Sequence, residues 1–199
     1  MSTAILQRDV DWAFDAAPRP TRGVQRANFV IFQAAWFAAV LGAAHGLAVW
    51  GCGCVIAAVG WHLAVSARPA VEARLIGAVV LIGLVAESVM ARQGVVGFAS
   101  GQLAPYTAPY WMVALWGLLA ITLNVTMRWL KGHWWLAASI GAVAGPLSFA
   151  SGVRLGAAHF ITAAPALVIL ACIWAVLMPT IMWLSDRFDG VALADRQPA

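Results

Sequence analysis

Charge is what this sequence has least of. Only 10% of its 199 residues are Asp, Glu, Lys or Arg, where a soluble domain carries about 25%. No charged residue occurs between Arg26 and Arg68, a stretch about twice what one helix needs to cross a bilayer core of roughly 30 Å. A water-soluble fold is excluded on that ground. The first 27 residues lack the basic-then-apolar order of a cleaved signal peptide and carry Asp9, Asp11, Asp15 and four arginines. Cysteine is scarce too: Cys52, Cys54 and Cys172 all lie in apolar segments, where a thiol packs as a small hydrophobe, so no disulfide framework is expected. Cys52-Gly-Cys54 lacks the second pair that a closed zinc site needs. There is no phosphate-binding glycine loop, no His-Glu-x-x-His and no Gly-x-Ser-x-Gly, which excludes the common soluble-enzyme chemistries. The basic residues form no stripe for nucleic acid.

What is present is apolar: 63% hydrophobic residues and eleven tryptophans. The expected fold is a single all-α domain, a polytopic membrane bundle of six transmembrane helices in residues 28–185. The spans are expected near 28–46, 48–66, 75–93, 110–130, 134–157 and 163–184, with the first turn in the glycine-rich 42–53 region. Residues 1–27 form an N-terminal tail and 186–199 a C-terminal one. Leu6, Val10, Ala13 and Phe14 repeat at helical spacing, which permits a short interfacial helix. The uncharged connection 94–109 is expected to lie in the membrane interface.

Ten of the twelve Lys and Arg residues fall in the N-terminal tail, in the second and fourth connections and in the C-terminal tail. Only Arg92 and Arg154 fall on the opposite side. Short positively charged loops stay in the cytoplasm, so both termini are expected there, in a bacterial inner membrane. Tryptophans 129, 134, 135 and 183 then mark the inner aromatic belt. The glycine pairs 42/46, 141/145 and 152/156 have the spacing of close helix contacts and are read as packing within the chain. The repeated Leu-Gly-Ala-Ala-His at 41–45 and 155–159 matches spans one and five, not equivalent halves, and is read as coincidence.

Glu87 is the most informative residue, because a carboxyl inside a span is costly and requires a partner or a watery cavity. It is expected in the outer half of the bundle, paired with Arg154 or with Arg92, or serving as an acid or base. Pro146 removes a helix amide, and a kink is expected there. Ser148, Ser151 and Arg154 follow at three-residue spacing on one face. A cavity lined by Glu87, Arg154 and this segment is the expected site, with Glu87 and Arg154 as catalytic candidates and Arg92, Asn124, Ser148, Ser151 and His159 as ligand-binding ones. His45, His159 and Glu87 could make a two-histidine, one-carboxylate set, but no local spacing supports it, so no metal is assigned. Asn124, with Thr122 or Thr126, can bond across helices.

Several stretches resemble a family of small bacterial inner-membrane proteins catalogued as a domain of unknown function. They are Asn28 to Trp36 with Gly42, Glu87-Ser88, Trp111 to Trp116, Thr122 to Asn124, Arg128 to Leu130, Gly141 to Leu147, and Gly152 with Leu155-Gly156. The resemblance covers about 28–160. Such proteins are encoded near cyclopropane-fatty-acid-synthase-like and flavin-oxidoreductase-like proteins, so the resemblance implies work on membrane lipid and names no cofactor. The readings left standing are an enzyme or accessory of lipid modification, a small-solute or proton-coupled transporter, and a structural subunit. Membrane lipid is the expected partner, membrane-protein partners and oligomeric state are open, and no nucleic acid is expected.

Overall fold

The computed structural model describes residues 20–191; the interfacial helix expected near residues 6–14 and most of the C-terminal tail lie outside them. Six helices follow one another: α1 Arg22–Ala44, α2 Ala48–Val65, α3 Pro69–Arg92, α4 Tyr110–Leu123, α5 Trp134–Arg154 and α6 Ala163–Arg187. Five are long and apolar enough to cross a membrane, all but α4. Only 22–28% of each of those five is buried inside the protein. Phe29, Trp50, Leu81, Leu147 and Val176 are among the exposed apolar side chains. A surface of that kind suits hydrocarbon and not water, so the chain is a multi-pass membrane protein.

Local chemistry sets the helix ends. Thr21 caps α1, its hydroxyl accepting from the Val24 amide at 3.3 Å. Gly46, at φ 73°, makes the turn into α2. Pro69 opens α3 at the first helical position, where its missing N–H costs nothing, so α3 starts six residues before the expected 75 and takes in Glu72. The expected fourth span, 110–130, is corrected more strongly. Helix α4 stops at Leu123, and the chain continues through a turn and a 3-10 segment, Arg128–Leu130. The Thr122 carbonyl accepts from the Val125 and Met127 amides and from the Thr126 hydroxyl, which ends the regular ladder. Helix α4 itself is enclosed by protein: it packs against α1, α2, α3 and α6, and Leu118, Ala120, Ile121 and Leu123 are wholly buried.

The connection 94–109 is partly a strand. β1, Val96–Phe98, pairs antiparallel with β2, Ala158–Phe160, with Gly97 opposite His159. The His159 ring occupies the space a Cβ would take at Gly97. This ribbon ties the α3–α4 and α5–α6 connections together, and the Ser100 hydroxyl bonds the Ala43 carbonyl at the end of α1. At the opposite end the start of α1, the α2–α3 and α4–α5 connections and the residues after α6 converge. Thr126 bonds Asn28 there, the Arg68 amide bonds the Gly190 carbonyl, and Lys131 reaches Asp189. The helices therefore run alternately up and down, with both described ends of the chain at one end of the bundle. Trp129, Trp134, Trp135 and Trp183 are exposed on the helices and turn leading to that end.

Helix α5 runs unbroken through Pro146. The glycine pair 141/145 packs within the chain, as expected: Gly141 lies against the Trp174 carbonyl and Met178 of α6, and Gly145 against the Trp174 ring.

Candidate functional site

Glu87 sits on α3, fully buried, one turn after Gly83. Having no side chain at 83 lets the Trp116 ring of α4 lie directly on α3; any Cβ there would collide with it. So placed, Trp116 Nε1 donates to Glu87 Oε1 at 3.1 Å. Trp174 of α6 stacks on Trp116, centroids 5.1 Å apart and planes 15° from parallel, and Gly145 of α5 leaves room for its far face. Two glycines thus bracket two tryptophans across four helices, and the carboxyl hangs from the middle of that stack. Among the described residues neither Glu87 Oε2 nor Trp174 Nε1 finds a hydrogen-bond partner.

Beside the stack lies a cleft of about 630 Å³, within the range of about 300–1,000 Å³ usual for small-ligand sites. Phe32, Trp36 and Phe37 of α1 form one wall, and Ser148, Phe149 and Arg154 of α5 the other; Glu87, Trp116 and Trp174 close the back. The cleft lies between α1 and α5 and is open at exposed Phe37, Ser148 and Arg154.

The structure brings Glu87, Ser148, Ser151 and Arg154 to this one cleft, but the expected Glu87–Arg154 pair is not formed. Among the described residues neither makes an ion pair with the other, and Arg92 does not pair with Glu87 either. Depth is the reason. Arg154 is the last residue of α5 and is exposed, whereas Glu87 lies five residues inside the end of α3, about 7.5 Å deeper at 1.5 Å per residue. Ser151 bonds back to the Leu147 carbonyl at 2.8 Å. Arg92 lines a separate surface hollow with Ser88 and Tyr106. His45 caps the end of α1 and His159 lies on the ribbon, both exposed; among the described residues no three His, Cys, Asp or Glu side chains gather.

Asn124 belongs to a different group, centred on a residue that the expected spans leave in the connection between 66 and 75. Glu72 is fully buried near the start of α3. Its Oε1 accepts from Asn124 Nδ2 and from the Gly190 amide, both at 2.7 Å, and its Oε2 lies 2.8 Å from His62 Nε2. Around it Arg128 pairs with Asp189 at 2.6 Å, Lys131 with the same carboxylate at 2.9 Å, and Arg68 donates to the Asp189 carbonyl. Both oxygens of Glu72 are engaged within the protein, so the group is a clasp holding Phe188–Gly190 against the bundle. Proline at the first helical position followed by an acid in the first turn was the available signal for it.

Helix arrangement and cleft together define a multi-pass membrane helix bundle with an aromatic-lined pocket beside one buried carboxyl. The chain belongs to DUF2878, a family described as proteins of unknown function, whose model matches residues 25–180. The match reaches into α6, beyond the 28–160 of the sequence resemblance. No curated protein and no solved structure matches the chain.

Proposed function

We propose that this is a six-span bacterial inner-membrane protein, both termini cytoplasmic, whose cleft admits membrane lipid for modification with Glu87 as the acid or base. The observation that carries the reading is the cleft itself: it lies between α1 and α5, two helices long and apolar enough to cross a membrane, and is lined by a buried carboxyl with an oxygen that no described residue binds. A carboxyl so placed is costly and persists where it is used. A proton-coupled transporter would use the same carboxyl, but the Phe32, Trp36, Phe37 and Phe149 side chains along the cleft suit an acyl chain better than a polar solute. Arg154 at the rim suits a lipid headgroup.

Loss of a general acid or base lowers a rate by about 10²–10⁴-fold, so a Glu87→Gln strain should show the altered fatty-acyl profile of a deletion strain while the protein still inserts. An unchanged acyl profile in both strains would sink the proposal.

The six-span reading rests on α4, whose 14 residues span about 21 Å, with the buried turn and 3-10 segment completing the crossing. Reporter fusions at Ala67 and Gly132 should report a cytoplasmic location, and fusions at Gly101 and Ile161 a periplasmic one. Opposite locations for Gly101 and Ile161 would remove the six-span arrangement.

A further inference from the structure

A further surface hollow lies at the start of α1, bounded by Arg22, Gln25, Arg26, Phe29 and Val30 and by Thr126 of the α4–α5 connection. The five α1 residues follow at spacings of three and four, so they share one face of the helix. Arg22 and Arg26 are exposed, and among the described residues neither makes an ion pair. The described acids at this end of the bundle are committed elsewhere. Asp189 holds Arg128 and Lys131, Asp186 also faces Lys131, and Glu72 is closed within the clasp. The hollow therefore carries two positive charges that no described residue offsets.

Its depth in the membrane follows from its neighbours. Exposed Trp129, Trp134, Trp135 and Trp183 lie toward this same end, and tryptophan collects where headgroups meet hydrocarbon. Phe29 and Val30, also exposed, stand further into the bundle, about 10 Å from Arg22 along α1. Charge at headgroup level with apolar surface below it, on one helix face, matches the order of phosphate and acyl chain in a phospholipid. A free anion would use the arginines and leave Phe29 and Val30 idle.

We propose that this hollow binds one anionic phospholipid, its phosphodiester held by the Arg22 and Arg26 guanidinium groups and one acyl chain lying over Phe29 and Val30. A guanidinium presents a planar fork of donors that matches two phosphate oxygens, and Gln25 adds an amide donor between the two. This site is separate from the cleft and does not depend on what the cleft does.

Each basic side chain at a membrane surface strengthens binding of anionic lipid by roughly fivefold, so the pair is worth about 25-fold. The test is native mass spectrometry of the full chain in detergent, titrated with dioleoyl phosphatidylglycerol, dioleoyl phosphatidylcholine and inorganic phosphate. Phosphatidylglycerol should bind at least about tenfold more tightly than phosphatidylcholine, and inorganic phosphate more weakly than either. Arg22→Gln with Arg26→Gln should abolish that preference. Arg74→Gln with Arg187→Gln removes the same charge from exposed positions at the same end but away from the hollow, and should leave the preference within about threefold of the parent. An equal loss in both double variants would show attraction by net charge alone and overturn the site. Equal binding of the two lipids, or phosphate binding as tight as phosphatidylglycerol, overturns it too. Asp9, Asp11 and Asp15 precede α1 in the chain and are the rival occupants. If changing all three to Asn creates a preference that the parent lacks, the chain's own acids fill the hollow and lipid does not. Should the Arg22 and Arg26 double variant fail to fold, Arg26→Gln alone decides, with a loss of about fivefold expected and no loss overturning the proposal.

Discussion

Glu72→Ala is expected to lower the stability of the bundle by about 3 kcal/mol, more than any other single polar substitution in the described residues. The estimate lies between two limits. Hydrogen bonds between membrane helices average about 0.6 kcal/mol each, which would give the three bonds of Glu72 roughly 2 kcal/mol. Removing one member of a buried charged pair costs about 3–5 kcal/mol, because its partners are stranded. Here the stranded groups are His62 Nε2 and the Gly190 amide, with Asn124 keeping only its bond to the Phe188 carbonyl. Asn124 Oδ1, without a partner among the described residues, bonds neither of these stranded groups. Glu72→Gln, which retains an acceptor for Asn124 and Gly190, should cost less than half as much. The measurement is the unfolding midpoint in detergent micelles. A Glu72→Ala protein within about 0.5 kcal/mol of the parent would mean that water already shares the clasp.

The contrast between the two buried carboxyls shows what the amino-acid order makes visible. Glu87 stands alone in an apolar run, so its cost and importance are legible without a structure. Glu72 stands between Arg68 and Arg74, where a charged cluster reads as a solvated link. Its partners come from residues 62, 124 and 190, and no local pattern announces a contact between such distant positions. The same division holds for the elements. Helices α1, α2, α3, α5 and α6 follow from the length of their apolar runs. The end of α4 at Leu123 does not, because Val125, Met127, Trp129 and Leu130 prolong the apolar run and the stop comes from local hydroxyl and carbonyl bonding. Strands of three residues are too short to show alternation, so the ribbon was invisible. The cleft was legible in part: Glu87 and the Ser148–Arg154 face do share it, but a tryptophan hydrogen bond, not a salt bridge, holds the carboxyl. Glycine spacing located the 141/145 seam without revealing that its purpose is to seat Trp174. The Leu-Gly-Ala-Ala-His repeats end up side by side at the ribbon end, with Gly156 facing Ala44.

That seam yields the second large effect. A Cβ at Gly141 would run into the backbone carbonyl of Trp174 and come within 2.6 Å of Met178 Cβ, and a backbone carbonyl cannot move unless α6 moves with it. Overpacking of this kind costs about 1–3 kcal/mol for a small addition, partly offset by the gain of about 1 kcal/mol when a helical glycine becomes alanine. A contact with a backbone carbonyl lies at the upper end of that range, so Gly141→Ala should destabilise by roughly 2 kcal/mol, and Gly141→Leu should prevent the α5–α6 hairpin from closing, with loss of folded protein. Gly152, eleven residues further along α5, supplies the control of opposite sign. A Cβ there meets nothing within 4 Å, so Gly152→Ala should be neutral or stabilising by up to about 1 kcal/mol. The consequence of the Gly141 change should reach the cleft, because pushing α6 away carries Trp174 off Trp116 and loosens the ring that holds Glu87. Thermal unfolding in detergent, followed by near-ultraviolet circular dichroism, reads both effects: a lower midpoint and a weakened tryptophan signal for Gly141→Ala, neither for Gly152→Ala. If Gly141→Ala proves as stable as the parent with its tryptophan signal intact, α5 and α6 are not in the close contact described, and the wall of the cleft that carries Trp174 is misplaced.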